Sequence, residues 1–319
     1  MASKLAIITG ISGQDGRTLS HYLVSRDYRV VGVSRRTSTQ EMHERVRVVS
    51  GDINDAQFID DLIAAEKPDE FYNLAAQSFV ERSWSQPTVT AESTGLAVIQ
   101  CLEAIRKHSP STRFFQASSS EIFGNVLECP QTELTPLSPR SPYATSKLFA
   151  YWSVRNYRDR YGIFACNGIM YNHESTFRGL EFVTRKITYT AAQIKLGLAS
   201  QLKLGSLNAL RDWGWAPDYV EGMVDMLKQS TPDDFILATG KLHTVKDWVE
   251  IAFQYLGLDW QKYVEIDPQF SRKSETVQLC GDATKAWTHL GWKPKMDFKT
   301  MVETMVDHDF KMLSRPAVE

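Results

Sequence analysis

The stretch LAIITGISGQDG, residues 5–16, decides the fold of this 319-residue chain. An apolar, β-branched run at 5–9 leads into a GxxGxxG motif, and a segment of helical period follows. Glycines between a strand and a helix permit a tight turn, bring the backbone close to a pyrophosphate and let the helix pack on the sheet. The stretch therefore predicts a dinucleotide-binding βαβ unit. The alternative is a glycine-rich turn that binds nothing.

The same alternation continues through the first half of the chain. Further β-branched runs lie at 28–34, 46–49, 70–73, 113–117 and 164–169, with helical patterns at 18–25, 56–65 and 96–107. Repeated strand–helix–strand units predict an α/β fold with a doubly wound parallel sheet of the Rossmann type. After residue 169 the pattern becomes irregular, and we predict helices at 182–196, 219–228, 245–256 and 300–313.

Two further features set the expected organisation. Four prolines between residues 127 and 142 predict a loop, and a helix at 143–161 should begin after Ser141-Pro142 and end at Gly162. No long linker separates the halves of the chain. We therefore expect a nucleotide-binding domain at 1–170, with a contribution from about 205–240, and a smaller, interleaved α/β substrate lobe at 171–319.

Composition excludes several classes of protein. The 36 Lys and Arg against 38 Asp and Glu leave a net charge of −2, which argues against a uniformly basic nucleic-acid binder. The four cysteines are at least 28 residues apart and form no zinc clip, so we expect no metal. No apolar run is long enough for a membrane helix or a signal peptide. We therefore expect a cytoplasmic, globular protein without a membrane partner.

The ends of the second and third strands bear on the dinucleotide. The second strand ends GVSRRTS, residues 32–38, without the acid that NAD enzymes usually place there. Arg35 and Arg36 suit a 2′-phosphate and predict NADP over NAD, with an ordinary solvated basic pair as the alternative. Asp52 and Ile53 follow the third strand, where an aspartate can reach the adenine amino group. The pyrophosphate contacts are expected at Gly10, Ser12, Gly13, Gln14, Asp15 and Gly16.

A second set of residues suggests proton transfer. Tyr143 and Lys147 are spaced i and i+4, so they share one face of the predicted helix. An ammonium beside a phenol stabilises the phenolate, and we expect the pKa of Tyr143 to fall towards neutrality. The serines of residues 118–120 follow the fifth strand and can bond a substrate hydroxyl. Glu121 can take a carbon-bound proton next to a ketone.

These motifs together resemble the extended short-chain dehydrogenases/reductases. Six stretches, in order, resemble the GDP-mannose 4,6-dehydratase family within that class: ISGQDG (11–16), YNLAAQS (72–78), PRSPY (139–143), NHES (172–175), FVTRK (182–186) and RDWG (211–214). The resemblance extends from about residue 5 to residue 310.

The resemblance implies a redox-neutral dehydration of GDP-mannose with NADP. Tyr143, Lys147 and Ser119 would remove the proton of the 4-hydroxyl, and Glu121 would take the C5 proton and protonate the leaving group at C6. Further cofactor contacts would be Leu74, Ala75, Ala76, Gln77, Ser78, Tyr143, Lys147, His173 and Arg178. Substrate contacts would be Ser78, Ser119, Ser120, Glu121, Asn172, Val183, Lys186, Arg211, Arg272 and Glu275. A homodimer or homotetramer is also implied.

Departures from the family pattern keep alternatives open. Ser119 replaces the usual threonine, Thr176-Phe177 replaces the usual residues after NHES, and the stretch around Arg272 lacks a proline and an aspartate. One alternative is the same chemistry on another GDP-sugar, such as a GDP-manno-heptose. A second is an NADP-dependent GDP-sugar reductase or epimerase, and a third is a catalytically silent NADP-binding protein.

Overall fold

The structure is a computed structural model that describes residues 3–35, 42–126, 128–270 and 278–315. The strands are β1 Leu5–Thr9, β2 Arg29–Ser34, β3 Val46–Ser50, β4 Glu70–Asn73, β5 Arg113–Ser119, β6 Ala165–Met170, β7 Asn172–Glu174, β8 Leu202–Leu204, β9 Leu210–Trp215, β10 Phe235–Leu237, β11 Leu242–Thr244 and β12 Val264–Ile266. The helices are α1 Gln14–Val24, α2 Ala56–Glu66, α3 Arg82–Ser85, α4 Pro87–Ala91, α5 Ala97–His108, α6 Pro142–Tyr161, α7 Val183–Lys195, α8 Ala216–Lys228, α9 Val245–Tyr255, α10 Thr284–Leu290 and α11 Phe298–Leu313. A π-helical turn spans Glu92–Leu96.

The central sheet is parallel, with the order β10-β6-β5-β4-β1-β2-β3 in the described part of the chain. From β1 the chain adds β2 and β3 on one side, then crosses to β4, β5 and β6 on the other. The strand order therefore reverses between β1 and β4, where the carboxyl ends of parallel strands form a ligand crevice. The predicted doubly wound sheet is confirmed.

Apolar side chains cover both faces of this sheet. Ile8 and its neighbours pack with α1 and α8, whereas Ile7 packs with α2, α5 and α6. Successive strand residues point to opposite faces, and both faces are covered, so β1 is apolar from Leu5 to Ile8 and all five of its residues, including Thr9, are buried. Burying one Ile or Leu side chain contributes about 1.5–3 kcal/mol, so these two layers hold the crevice in place.

A second lobe is built on two small sheets. One has the order β11-β9-β7 and the other pairs β12 with β8. Helices α7, α9 and α11 enclose a core that includes Ile187, Trp248, Phe253 and Met305. The chain leaves β6 for β7 and returns through α8, which packs against α1, to β10 beside β6. The proposed domain limits, 1–170 and 171–319, stay a prediction.

Helix α6 forms where the sequence predicts it. The Ser141 hydroxyl accepts a hydrogen bond from the Ala144 N–H at 3.0 Å, Pro142 occupies the first turn, and Gly162 ends the helix with φ +67°. The cap and the proline fix the start of the helix. This start places Tyr143 and Lys147 in the first two turns, close to the end of β5.

Candidate active site

The glycine turn joins β1 to α1 at the carboxyl end of the sheet. Gly10 has φ +70°, and a Cβ there would lie 2.9 Å from the Ala75 backbone. A Cβ on Gly16 would lie 2.4 Å from the Gly10 carbonyl oxygen and 2.6 Å from Ile11 Cα. Glycine is therefore required at both positions. Helix α1 begins after Gly13 with no cap from a described side chain, and such a helix end suits a phosphate group.

The cofactor contacts expected from this motif lie together in the turn and at the start of α1. They are Gly10, Ser12, Gly13, Gln14, Asp15 and Gly16. Ser12 and Gly13 are exposed, so the outer part of the turn is open to a ligand. The close backbone approaches and the open helix end fit a dinucleotide pyrophosphate.

A buried charged pair connects α1 to β7. His173 Nε2 lies 3.0 Å from both carboxylate oxygens of Asp15, and His173 Nδ1 lies 2.7 Å from the Tyr171 carbonyl oxygen. Both partners are acceptors, so the imidazole donates from both nitrogens and is charged. Burial opposes both charges, but their attraction outweighs it, which raises the pKa of His173 and lowers that of Asp15. Gln14 Nε2 also donates to the His173 carbonyl oxygen at 2.9 Å.

The segment after β4 runs beside the glycine turn. It contains the expected cofactor contacts Leu74, Ala75, Ala76, Gln77 and Ser78. The Ala75 N–H donates to Thr9 Oγ1 at 3.2 Å, which ties this segment to the end of β1. The Gln77 side-chain amide donates to the Phe79 carbonyl oxygen at 3.0 Å, and Ser78 is exposed.

The ends of β2 and β3 hold the expected adenosine contacts. Arg35 is exposed directly after β2, and Arg36 lies outside the described residues. Asp52 Oδ1 accepts from the Asn54 N–H at 3.0 Å, and Ile53 is buried in the core. The Asp52 side chain therefore stabilises the turn that follows β3.

The four expected catalytic residues come from β5, the turn behind it and α6. Ser119 ends β5, and its hydroxyl accepts from the Glu121 N–H at 3.3 Å and hydrogen-bonds Tyr143. Lys147 Nζ donates to the Ala117 carbonyl oxygen at 2.7 Å and lies 5.8 Å from the centre of the Tyr143 ring. The structure places all four residues around the end of β5, and the i, i+4 spacing accounts for the closeness of Tyr143 and Lys147.

The expected lowering of the Tyr143 pKa is wrong for the protein alone. Burial raises the pKa of the Tyr143 phenol to about 12, although the Ser119 hydrogen bond acts in the opposite direction. Burial also lowers the pKa of Lys147 to about 8, against the attraction of Asp15. Residue spacing predicts proximity, but the cost of removing a charge from water depends on the fold.

A cavity of ≈ 1280 Å³ opens beside these groups. Its lining includes the expected substrate contacts Glu121, Asn172, Val183, Lys186 and Arg211, and also Arg178. Ser78, Ser119 and Ser120 are not part of this lining among the described residues. Arg272 and Glu275 lie outside the described residues. The volume exceeds that of most small-ligand pockets, and its basic side chains suit an anionic ligand of nucleotide-sugar size.

One charged pair at the cavity wall was not predicted. Glu174 is buried, its Oε2 lies 3.1 Å from Arg178 Nε, and the same oxygen accepts from Thr184 Oγ1 at 2.7 Å. The Arg178 guanidinium lies 3.6 Å from the centre of the Phe182 ring. The spacing from Glu174 to Arg178 was visible in the sequence, but it predicts contact only on a helix, and this segment is not helical.

The described ranges of the chain contain no group of three His, Cys, Asp or Glu side chains that could hold a metal ion. No helix in them has the length and apolar character needed to cross a membrane.

The fold and the site define a class of protein. A doubly wound parallel sheet carries a glycine turn after β1, and a tyrosine and a lysine lie one turn apart on the helix after β5. A serine and a glutamate at the end of β5 complete the site. This combination defines an extended short-chain dehydrogenase/reductase.

Comparison with known proteins narrows the class. The family model for GDP-mannose 4,6 dehydratase matches residues 7–305. The chain is 45% identical to GDP-mannose 4,6 dehydratase 1 of Arabidopsis thaliana, over 99% of this chain and 92% of that protein. The chain belongs to the GDP-mannose 4,6-dehydratase family.

Solved structures share the fold at lower identity. RMD of Pseudomonas aeruginosa, solved with NADPH, has a TM-score of 0.82 at 22% identity, covering 97% of this chain and 100% of that one. The dTDP-glucose 4,6-dehydratase of Bacillus anthracis, solved with NAD, has a TM-score of 0.85 at 20% identity, covering 97% of both chains. At these identities the likeness concerns the fold.

Proposed function

We propose that this protein is an enzyme that dehydrates GDP-mannose to GDP-4-keto-6-deoxymannose, with NADP as its cofactor. The observation that carries this function is that Ser119, Tyr143, Lys147 and Glu121 lie close together around the end of β5, with Glu121 in the lining of the basic cavity. The family match supports it, because relatives at 40–46% identity over nearly the whole chain are named as GDP-mannose 4,6-dehydratases.

A nicotinamide cofactor fits the glycine turn. The required glycines at 10 and 16 and the open start of α1 would hold its pyrophosphate. Arg35, with Arg36, supports NADP over NAD by charge and hydrogen bonding to a 2′-phosphate. When bound, the oxidised nicotinamide would accept a hydride from C4 of the sugar and later return it to C6.

Tyr143 would act first, as the base at the sugar 4-hydroxyl. Its Oη would take the hydroxyl proton, and the Ser119 hydrogen bond, which favours the phenolate, would hold that oxygen in place. The Lys147 ammonium, fixed by the Ala117 carbonyl oxygen, adds positive charge near the ring. Because the pKa of Tyr143 is about 12 in the protein alone, the phenolate would form once a bound cofactor adds positive charge beside the ring.

Glu121 would act second, at C5 and C6 of the sugar. Its carboxylate lines the cavity and lies close enough to Tyr143 to raise the pKa of that phenol. A 4-ketone makes the C5 hydrogen acidic, so one Glu121 oxygen could accept this proton. The same carboxyl group could then protonate the hydroxyl that leaves C6 as water. One residue would thus serve as base and then as acid. The proton that Tyr143 took from the 4-hydroxyl would go to C5 when C6 is reduced, so that the enzyme ends as it began.

The GDP moiety would occupy the basic part of the cavity. Lys186 and Arg211 line it, and each could neutralise charge on the diphosphate. Arg178 also lines the cavity and stays a predicted contact of the cofactor. Burial lowers the pKa of Lys186, against the attraction of Asp267, so a bound anion would stabilise its charged form. Asn172 and Val183 line the same wall. Ser78, Ser120, Arg272 and Glu275 stay predicted contacts of the substrate.

A homodimer is supported by an exposed apolar surface. Val89 of α4, Leu96 of the π-helical turn and Phe149 and Trp152 of α6 are between 43% and 50% exposed. These elements pack against one another, so the four side chains form one patch, here called the α4–α6 face. A face that presents two neighbouring helices can pair with a copy of itself about a two-fold axis.

A cytoplasmic location is supported by the cysteines. All four carry free thiols, and Cys101, Cys166 and Cys280 are buried. Free thiols of this kind persist in a reducing compartment.

The function is tested directly with the purified protein. We expect GDP-mannose, incubated with catalytic NADP, to yield a GDP-sugar lighter by one water, without net formation of NADPH. NAD in place of NADP should support the reaction poorly. The Tyr143→Phe variant should form no product and serves as the matched control. If GDP-mannose stayed unchanged and a GDP-manno-heptose were dehydrated instead, the GDP-manno-heptose would be the substrate. Net NADPH formation would indicate a dehydrogenase.

A further inference from the structure

A row of polar side chains crosses four neighbouring inner strands of the apolar sheet. Its members lie opposite one another in register on β1, β4, β5 and β6: Thr9, Asn73, Gln116 and Asn167. Each is at most 1% exposed, and the row two residues earlier on the same face is apolar: Ile7, Phe71, Phe114 and Ala165. Burying amides and a hydroxyl in such a layer costs free energy unless their hydrogen bonds are made.

Three members of this row form a chain of hydrogen bonds with a fixed direction. The Ala75 N–H, which can only donate, donates to Thr9 Oγ1 at 3.2 Å. Thr9 must then use its single proton on Asn73 Oδ1, 2.6 Å away. Asn73 Nδ2 in turn donates to Gln116 Oε1 at 2.8 Å. The orientation of each amide therefore follows from the backbone N–H at the start.

The chain ends at the carbonyl oxygen that binds Lys147. Gln116 Nε2 donates to the Ala117 oxygen at 3.0 Å, and Lys147 Nζ donates to the same oxygen at 2.7 Å. The pairing of β4 with β5 ends at Asn73 and Gln116, one residue before Ala117, whereas β6 still pairs with Ala117 through Gly168. The carbonyl thus lies at a fixed position, and two side chains share its lone pairs.

We infer that Gln116, oriented by Asn73 and Thr9, is a positioning residue that sets where and how strongly the Ala117 carbonyl holds the Lys147 ammonium. This inference rests on the proposed function in one respect, the catalytic role of Lys147. The chain also begins at Ala75, against which Gly10 packs. It therefore connects the glycine turn to the helix that carries Tyr143 and Lys147.

The direction of the effect follows from charge. The Gln116 amide directs an N–H hydrogen at the carbonyl oxygen that binds the ammonium. This hydrogen carries partial positive charge, so it disfavours the charged form of Lys147. Without this donor, the oxygen becomes a stronger acceptor for the ammonium, and the pKa of Lys147 should rise. Among the described residues, Asp15 of α1 raises the pKa of Lys147 through its negative charge, and the Tyr143 phenol of α6 is the neighbouring titratable group. Neither Asp15 nor Tyr143 belongs to the hydrogen-bond chain that contains Gln116.

The experiment measures the titration of Lys147 itself. Protein with ¹³C-labelled lysine is titrated by NMR, and the Lys147 signal is assigned by its loss in the Lys147→Arg variant. We expect a midpoint of about 8 in the wild type. In Gln116→Met, which keeps the length of the side chain but removes the donor, the midpoint should rise by about half a pH unit or more. An unchanged or lowered midpoint would overturn the inference.

Two further variants separate positioning from folding. Gln116→Glu keeps the shape of the side chain and should shift the midpoint upward further, because it adds a negative charge near the ammonium. Asn167→Leu is the matched control, since Asn167 belongs to the same buried row but bonds Tyr151 and Asp234. It should lower stability and leave the Lys147 midpoint unchanged. An equal shift in Asn167→Leu would mean that the row acts only through the fold.

Kinetics distinguish this inference from the proposed function. If the wild type dehydrates GDP-mannose, Gln116→Met should lower kcat, leave KM for GDP-mannose unchanged, and move the alkaline limb of the pH profile upward. If the wild type does not, the proposed function fails, and the NMR titration still decides the role of Gln116.

Discussion

At the scale of single residues, Glu121 and Tyr143 carry different protons in the proposed reaction. Glu121→Gln removes the base for C5 but leaves Tyr143 and Lys147 in place, so oxidation at C4 should still occur. We expect product formation to fall by about 10³-fold or more, with reduced cofactor accumulating on the enzyme. Absorbance of the reduced nicotinamide in a single turnover measures this.

Tyr143→Phe is the control for that experiment. It should abolish both the product and the reduced cofactor, because the first proton has no acceptor. If Glu121→Gln formed product at the wild-type rate, the acid–base role of Glu121 would be wrong.

The sequence predicts which residues meet in this site better than it predicts their protonation. Tyr143 and Lys147 lie one turn apart on a helix, so their proximity follows from spacing alone. Their pKa values depend on burial, which comes from the packing of α6 on β5 and β6. The sequence also does not predict the polar row that contains Asn73 and Gln116, because the register between strands far apart in sequence is a property of the folded sheet.

At the scale of elements, the Asp15–His173 pair ties α1 to β7. The pKa of His173 is raised in the folded protein. Its contribution to the free energy of unfolding is therefore complete below pH 6.5, the pKa in the unfolded chain, and is lost as the pH rises through the pKa in the folded protein. The pKa of Asp15 is lowered, so its share is lost as the pH falls from 3.8 through the folded value. The pair should therefore stabilise most between about pH 4 and about pH 6.5.

Chemical denaturation of Asp15→Asn across this range measures the effect. The variant should lose about 3 kcal/mol of the free energy of unfolding at about pH 5.5, and progressively less at higher pH. Asp60→Asn is the matched control, since Asp60 pairs with His108 at 2.9 Å on the surface, and it should change little. A difference that stays constant up to about pH 9 would show that His173 is not charged.

A second prediction concerns α7 and α11. Arg185 binds both carboxylate oxygens of Asp309, at 2.6 and 3.0 Å, and Asp309 is fully buried. Burial raises the pKa of Asp309, although Thr188 and Arg185 act in the opposite direction. Asp309→Ala leaves Arg185 charged and unpaired, and we expect a loss of about 3–5 kcal/mol in thermal or chemical unfolding.

Removal of both partners should separate stability from function. Asp309→Leu with Arg185→Met should recover much of the loss, because a buried ion pair contributes little beyond its apolar replacement. Arg185 also donates to the carbonyl oxygens of Thr176 and Arg178, so the loop that carries Arg178 stays without its support. The double variant should therefore be stable but less active. Full activity would mean that Arg185 does not position this loop.

Elements with local signals were predicted well, and those without them were missed. Helix α6 has a serine cap, a proline and a terminal glycine, and it begins within one residue of the prediction. Helix α1 begins at Gln14, four residues before the predicted Thr18, because the glycine motif itself enters the helix. Strands such as β8 and β12 have three residues each, and they form only because they pair with each other across some sixty positions of sequence.

At the scale of the whole molecule, the order of the strands explains why the site is where it is. The family-typical motifs are spread over more than 200 residues, yet the reversal of strand order between β1 and β4 brings the glycine turn near the end of β5. The sequence predicts the sheet from its alternation. It does not predict β10, because a three-residue strand after an irregular region carries no periodic pattern.

The α4–α6 face leads to a prediction about assembly. Helix α6 carries Tyr143 and Lys147 at one end and the exposed Phe149 and Trp152 further along, so a partner on this face would lie behind the catalytic residues. A Cβ on Gly95 would lie 3.3 Å from Phe149 Cδ1, so the glycine lets the π-helical turn pack closely on α6. An exposed apolar patch of this kind is typical of an interface between copies.

We expect the wild type to be at least a dimer and Phe149→Glu to be a monomer, because a buried carboxylate at the centre of the patch is unfavourable. Light scattering after gel filtration measures the molar mass. Leu198→Glu is the matched control: Leu198 is 61% exposed on the second lobe, and its substitution should leave the mass unchanged. If the Phe149→Glu variant were still a dimer, the interface would lie on another surface. If the wild type were a monomer, the predicted interface would not exist. If the interface supports α6, the monomeric variant should also show a lower kcat with an unchanged affinity for GDP-mannose, since none of the four side chains of the patch lines the cavity.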